Sequence, residues 1–231
     1  MNNRIISTAL AVSALFAGVI FTAGCATAPN GVEQVINDTI WKCPTAHGFN
    51  FTLPAEGQWS VTRYPPVDYS QYLKDNTDKM EIVPCMATSW VSVNVTIRSV
   101  SEELRLSIVR QIALNPNNYL GAGGVPITPS LKSEIVTDLA IRNGISGRLS
   151  DILVEIEVPR TNATTTYEIR RLSLDWVDPQ TGLMIQINLL PSSFSQAKEA
   201  NDYLSELLGL IVTKSTFRGA PLFEGAPPFA R

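Results

Sequence analysis

One histidine, His47, is present in the whole chain, so any serine–histidine–acid relay has to run through it. It closes the stretch Cys43-Pro44-Thr45-Ala46-His47, where a thiol and an imidazole four residues apart could, with Cys85 as a third donor, bind a metal ion. No second close ligand pair accompanies them, and no H-E-x-x-H or calcium-loop pattern occurs, so neither a metal nor another cofactor is expected. A lone histidine is more often a packing or surface residue than a general base, and no catalytic residue is assigned. Ser195-Gln196-Ala197-Lys198 has the S-x-x-K spacing that lets a lysine activate a serine. K-T-G is absent, and only 33 residues follow Lys198, so the start of a helix accounts for these residues better. Gly121-Ala122-Gly123-Gly124 lacks the Lys-Ser/Thr of a phosphate cradle and runs into a proline-broken segment, which makes it a loop. Asp175 and Asp178, on either side of Trp176-Val177, sit at a strand end and suit turn capping better than acid–base work. The glycines of Gly144-Ile145-Ser146-Gly147 are too close for a G-x-S-x-G nucleophile elbow.

One cysteine has a different setting. The chain opens Met1-Asn2-Asn3-Arg4 and continues through Ile5 to Phe21 without a charge. As a helix those seventeen residues would reach roughly 25 Å, short of the ~30 Å hydrocarbon core of a bilayer. A charged start, an apolar run and a small-residue exit are the marks of a secretory signal peptide. The exit is Thr22-Ala23-Gly24-Cys25, which resembles the lipobox of bacterial lipoproteins, with Thr22 where that family usually has leucine. The resemblance implies removal of residues 1–24 and a lipid anchor on Cys25, with palmitate or a similar acyl chain added. Two or more acyl chains hold a protein stably at ~0.8 kcal/mol per buried CH₂. An ordinary signal peptide, or an uncleaved anchor with Cys25 incidental, is the alternative. Ala26 follows the cysteine, where an Asp commonly retains such lipoproteins at the inner membrane. The family rule therefore implies the outer membrane, with the domain facing the periplasm.

Loss of residues 1–24 removes Arg4 alone, leaving 17 basic against 21 acidic residues. A net charge of −4 argues against nucleic acid as a partner, which needs a basic surface. The rest of the 231-residue chain is long enough for one domain with a real core. In an oxidising compartment Cys43 and Cys85 are expected to form a disulfide rather than a metal site. Closing that loop would contribute about 4 kcal/mol on the chain-entropy model.

The elements follow from periodicity and turn chemistry. Residues 25–40 read as the lipidated cysteine and a tether, 41–217 as one globular domain, and 218–231 as a loose tail. Phe49-Asn50-Phe51-Thr52-Leu53 and the stretch through Trp59 and Val61 alternate as strands. Tyr64 to Thr88 is polar and proline-punctuated, and reads as an irregular excursion. Its Tyr64, Tyr69 and Tyr72 form either a binding surface or a cover for the sheet edge. Val91, Val93, Val95 and Ile97 predict a strong strand; Ser101, Glu102 and Glu103 predict a capped helix that ends at Asn115-Pro116. A mobile segment is expected from Asn117 to Ser130. An antiparallel meander follows over Glu134–Ile141, Ser146–Val158, Thr165–Val177 and Leu183–Leu190, with turns at Asn143-Gly144 and Asp178–Gly182. Ser193 and Gln196 match a capping box that opens a helix with Leu204, Leu207 and Leu208 on its apolar face; Gly209 should end it, before a short strand in Leu210–Phe217.

This order of elements, with "FTLPAEGQWSV" near its start and "SFSQAKEANDYLSELLGLIVTKSTF" near its end, resembles the DcrB/PsbP-type α+β fold over residues 49–217. The resemblance implies an antiparallel sheet covered by helices, in a group whose members are mostly accessory or assembly proteins without catalytic activity. The expected function is thus a non-catalytic accessory or binding module of the cell envelope, lipid-anchored to the membrane, with an envelope protein or small ligand as partner. The alternative is an envelope hydrolase with His47 as general base.

Overall fold

The computed structural model describes residues 32–35, 42–44, 48–54, 59–62, 80–88, 90–160 and 163–229. In its longest strands the alternation of residue types decides everything else. Within Ala163–Val177 (β9), Leu172, Leu174 and Trp176 project to one side and Arg171, Ser173 and Asp175 to the other, because successive side chains point to opposite faces. The strands Ile145–Arg160 (β8) and Leu183–Pro191 (β10) flank it, and Val91–Ser99 (β6) lies beyond β10. Ser130–Ile141 (β7) closes one edge; Met80–Thr88 (β5), Trp59–Thr62 (β4) and Val32–Val35 (β1) complete the other. The result is one eight-stranded sheet in the order β1-β4-β5-β6-β10-β9-β8-β7, with every pairing antiparallel. A smaller sheet joins Lys42–Pro44 (β2), Phe49–Thr52 (β3), Thr216–Phe217 (β11) and Ala220–Pro221 (β12) in the order β12-β11-β3-β2.

The helices take opposite faces of the large sheet. Glu102–Ala113 (α1) lies on the connection from β6 to the far edge strand β7, and it lays Ile108, Val109 and Ala113 over Ile152, Val154 and Ile156 of β8. Its start is capped as expected, with the Leu104 amide donating to Ser101 Oγ at 3.2 Å. Ala197–Lys214 (α2) and the small sheet share the other face. There Leu204, Leu207, Leu208, Ile211 and Val212 pack with Leu172, Leu174, Trp176 and the inward residues of β6 and β10. Phe49 and Phe217 meet Trp176 edge-on, at centroid distances of 5.2 and 5.9 Å. The chain is therefore α+β with antiparallel sheets, as the alternation and capping signals predict, and among the described residues no helix is long and apolar enough to cross a membrane.

Several expectations need correction. The excursion expected through Thr88 ends in a nine-residue strand, β5, paired with β4 and β6. Pro84 disguises it; the register shifts between Glu81 and Cys85, and a bulge is where a sheet tolerates proline. The tether expected over 25–40 contains β1, paired with β4. Helix α2 passes through Gly209 to Lys214, because Ile211 and Val212 continue the apolar stripe of Leu207 and Leu208. Its glycine is buried, so packing outweighs the ~1 kcal/mol propensity cost. Only Thr216–Phe217 remains as strand after it. The segment from Asn117 to Ser130 is held by the Tyr119 hydroxyl on the Ala113 carbonyl at 2.9 Å and by the Gly121 amide on the Val125 carbonyl at 2.8 Å. The tail expected over 218–231 docks as far as Phe229: β12 pairs with β11, Leu222 is fully buried, and the Arg142 amide donates to the Leu222 carbonyl. Aromatic contact between Phe223 and Phe229 completes that turn back onto the domain.

Candidate functional site

On the α1 face of the large sheet, the register aligns polar residues in rows across four adjacent strands. Thr96, Gln186, Asp175 and Arg148 stand side by side on β6, β10, β9 and β8. The next row is Asn94, Asn188, Ser173 and Ser150. Beyond it Ser92 pairs with Leu190, and Arg171 with Ile152. Directly opposed residues of an antiparallel pair share a face, so these side chains form one continuous polar plate. Most of it is enclosed: Gln186 and Asp175 are fully buried and Arg171 is 7% exposed, while Asn94 and Asn188 are half-buried.

Burying charge is costly unless it is paired. Arg105 of α1 meets that demand for Asp175, with Nε 2.9 Å from Oδ1. Arg148 donates to the Arg105 carbonyl at 3.4 Å, and the two guanidinium groups lie 3.6 and 3.7 Å from the Glu102 carboxylate. Thr96 donates to the Gln186 side-chain oxygen at 3.4 Å. On the plate, Arg171 Nε and Ser173 Oγ are buried and have no hydrogen-bond partner among the described residues.

A second polar cluster lies at the β9–β10 turn. Asp178 accepts from the Gln180 amide at 3.1 Å, the Thr181 hydroxyl at 2.7 Å and Arg218 Nη2 at 2.6 Å. Burial is the strongest single influence on its carboxyl and pushes the pKa up, but the three donors together and the Arg218 charge hold it below the ordinary range. Arg218 reaches it from a left-handed backbone conformation, φ 52°, with its amide on the Gly48 carbonyl at 2.7 Å. An adjoining cleft of about 180 Å³ is lined by Ile141, Asn143, Pro179 and Leu222 among others. Every Asp178 contact closes the turn or ties the C-terminal segment to it, so this cluster is structural.

Among the described residues, those weighed for chemistry are not gathered at one place. Asp175 and Asp178 serve separate ends, one in the ion pair with Arg105 and the other in turn capping. Ser195 and Lys198 are exposed at the start of α2; Ser195 Oγ sits 3.2 Å from Ser193 Oγ. Ser193 bonds the Gln196 side chain at 3.1 Å, so the capping-box pair meets side chain to side chain without capping a backbone amide. Gly121–Gly124 forms an exposed turn below the Leu120–Pro126 bridge. Cys25, His47, Tyr64, Tyr69 and Tyr72 lie outside the described residues, as does the signal peptide. For Cys43 and Cys85 the backbone positions are given: Cys43 pairs with Phe51 in the small sheet, and Cys85 with Val95 in the large one. The plate itself, with Arg105, Arg148, Arg171, Ser173 and Gln186, was not a sequence expectation. Its signal is the polar residues at alternate positions of Ser92–Thr96, Arg171–Asp175 and Gln186–Asn188.

The chain matches no protein-family model and no curated protein sequence.

Proposed function

We propose that the chain is a lipoprotein of the cell envelope, acylated on Cys25 and held at the outer membrane, whose α+β domain faces the periplasm as a non-catalytic accessory or binding module. The observation that carries this reading is Thr22-Ala23-Gly24-Cys25 at the end of the uncharged run Ile5–Phe21. The domain supports the binding role through its polar plate, where the one buried carboxylate among the described residues of that face is committed to Arg105. The order strand, helix, antiparallel meander, helix and short strand supports a DcrB/PsbP-like fold, a finer likeness that belongs to the same proposal. Fold analogy alone does not transmit activity, so the role rests on the lipobox and the plate.

The test is expression of the full chain and of Cys25→Ser in a Gram-negative host fed labelled palmitate. The wild type should carry label, lack residues 1–24 and fractionate with the outer membrane. The variant should carry no label. An unlabelled wild-type chain that keeps residues 1–24 overturns the anchor. Intact mass of the purified protein before and after reduction then decides the Cys43–Cys85 disulfide: a gain of two hydrogens is expected, and no gain refutes it.

A further inference from the structure

The large sheet ends on one side in β7, which pairs with β8 alone among the described residues, so its other edge offers unpaired N–H and C=O groups. At the opposite end β1 is four residues long, whereas β7 is twelve. The register of β7 shifts between Leu131 and Ser133 and is regular from there to Ile141. Its one lysine, Lys132, stands in that shift and is held by Glu155 and Glu168 at 2.9 and 2.7 Å. The regular stretch has no lysine, arginine or proline, the residues that commonly blunt an exposed edge. Its centre is apolar on both faces, with Ile135 61% and Val136 50% exposed. Ile135, Thr137 and Leu139 share the α2 face, where Leu139 packs against the core. Glu134, Val136 and Asp138 share the α1 face: Glu134 lies 3.0 Å from Arg110 of α1, and Asp138 3.8 Å from Arg148. Arg105 and Arg148 are nearly enclosed there, while the carboxylates of Glu102 and Asp138 are 66% and 83% exposed.

We propose that the β7 edge takes up an extended segment of another envelope protein, in which apolar residues alternate with lysine or arginine. Backbone pairing along residues 133–141 supplies the affinity, and alternate side chains supply the choice of partner. The apolar residues of the segment lie beside Ile135 and Leu139. Its cations lie beside Asp138, and their stems cover Val136. A second copy of the chain is the wrong occupant, because an antiparallel pair of β7 strands brings like charges together wherever its axis falls at the centre of the edge. An axis at Val136 sets Glu134 against Asp138 twice. An axis at Ile135 puts the two Glu134 side chains on a diagonal, and one at Thr137 does the same to the two Asp138 side chains. Acids alone on the regular edge therefore reject its own copies and accept a basic strand. This assignment rests on the reading of the domain as a binding module and gives that module its partner chemistry.

The experiment measures fluorescence anisotropy of short labelled peptides titrated with the full chain in an uncharged detergent. A peptide of alternating valine and lysine should bind, and a tenfold rise in sodium chloride should weaken it several-fold. Alternating valine–glutamate and serine–lysine peptides should each bind at least tenfold more weakly, the first for charge and the second for lost apolar contact. The valine–lysine peptide methylated on its backbone amides keeps its charge but cannot pair as a strand, and it should not bind. Asp138 is well exposed, so Asp138→Lys should melt as the wild type does and lose the preference for lysine over glutamate. No binding of the valine–lysine peptide, equal binding of the methylated one, an unchanged preference in Asp138→Lys, or sedimentation of the full chain as a dimer that the peptide dissociates would each overturn the assignment. Cys25→Ser should bind the peptide as the wild type does, so a failed anchor and a failed edge are told apart.

Discussion

Arg170 is the joint between α2 and the large sheet, and its removal has a size that the geometry sets. Its Nε and Nη2 reach the two oxygens of Asp151 at 2.9 and 2.7 Å, a bidentate pair across β8 and β9. Nη1 donates to the Asn201 carbonyl at 2.9 Å, and Nη2 also to Ser205 Oγ at 2.9 Å, both on α2. The hydrogen bonds with Asp151 are the main reason its pKa lies above the ordinary arginine value. Charge-assisted bonds contribute roughly 1.5–3 kcal/mol each in favourable sites, but those on one side chain do not add independently. The pair also keeps about a quarter of its surface in water, at 23% and 27%, which reduces each contribution. Arg170→Ala should therefore cost about 2–3 kcal/mol, and Arg170→Lys, which keeps the charge and loses the fork, about 1–2 kcal/mol. The assay is urea unfolding, where the midpoint should fall with an unchanged slope, and a melting temperature lower by about 5–10 °C. A cycle with Asp151→Ala should give a coupling of about 1–2 kcal/mol. A cost below about 0.5 kcal/mol, with no coupling, would show that water replaces the clamp and that apolar packing alone seats α2.

Three further outcomes test other parts of the fold. Asp178 has a lowered pKa in the folded state, so its stabilisation is complete above the ordinary value of 3.8 and is lost as the pH falls through the folded value. The stability difference between wild type and Asp178→Asn should then hold above about pH 4 and shrink as the pH falls below it; a difference that stays constant down to about pH 2 would refute the linkage. Leu222→Ala should cost about 2–4 kcal/mol by chemical unfolding, because Leu222 is fully buried; a cost near zero would mean the C-terminal segment does not dock in solution. A Cβ added at Gly147 would lie 2.7 Å from Ile141 Cδ1 and 3.4 Å from the Asp175 carbonyl. Gly147→Ala should cost about 1–3 kcal/mol and be partly rescued by Ile141→Val, and an unrescued loss would place the strain in the backbone.

Much of the fold is legible in the residues, and the reason is local. The four meander strands alternate cleanly, and their turns use residues that accept a left-handed backbone: Asn143 and Gly144 lie at φ 62° and 71°, and Gly182 at 68°. Ser101 announces α1 by a bond that needs nothing beyond its own first turn. What escaped depends on distant partners. The short β1, Val-Glu-Gln-Val, is a strand because β4 lies beside it, and β5 is one despite Pro84 because β4 and β6 flank it. Gly209 stays helical because the stripe around it has a core to enter.

The polar plate was illegible for a deeper reason. Polar residues that alternate with apolar ones read as a solvent-facing row, and Ser92, Asn94 and Thr96 have that pattern whether water or protein lies above them. The strand order puts β6, β10, β9 and β8 in the middle of the sheet, with α1 over β8 on the same face, and there Ser92 and Thr96 are buried. Arg170 and Arg171 show how much that order decides. They are adjacent, identical in type and indistinguishable by any local rule, yet the pleat sends them to opposite faces. Arg170 meets Asp151, Asn201 and Ser205 and is fully engaged. Arg171 meets Ile152 and leaves Nε without an acceptor. One arginine is a structural clamp, and the other lies against the sheet with its Nε enclosed and no acceptor for it among the described residues.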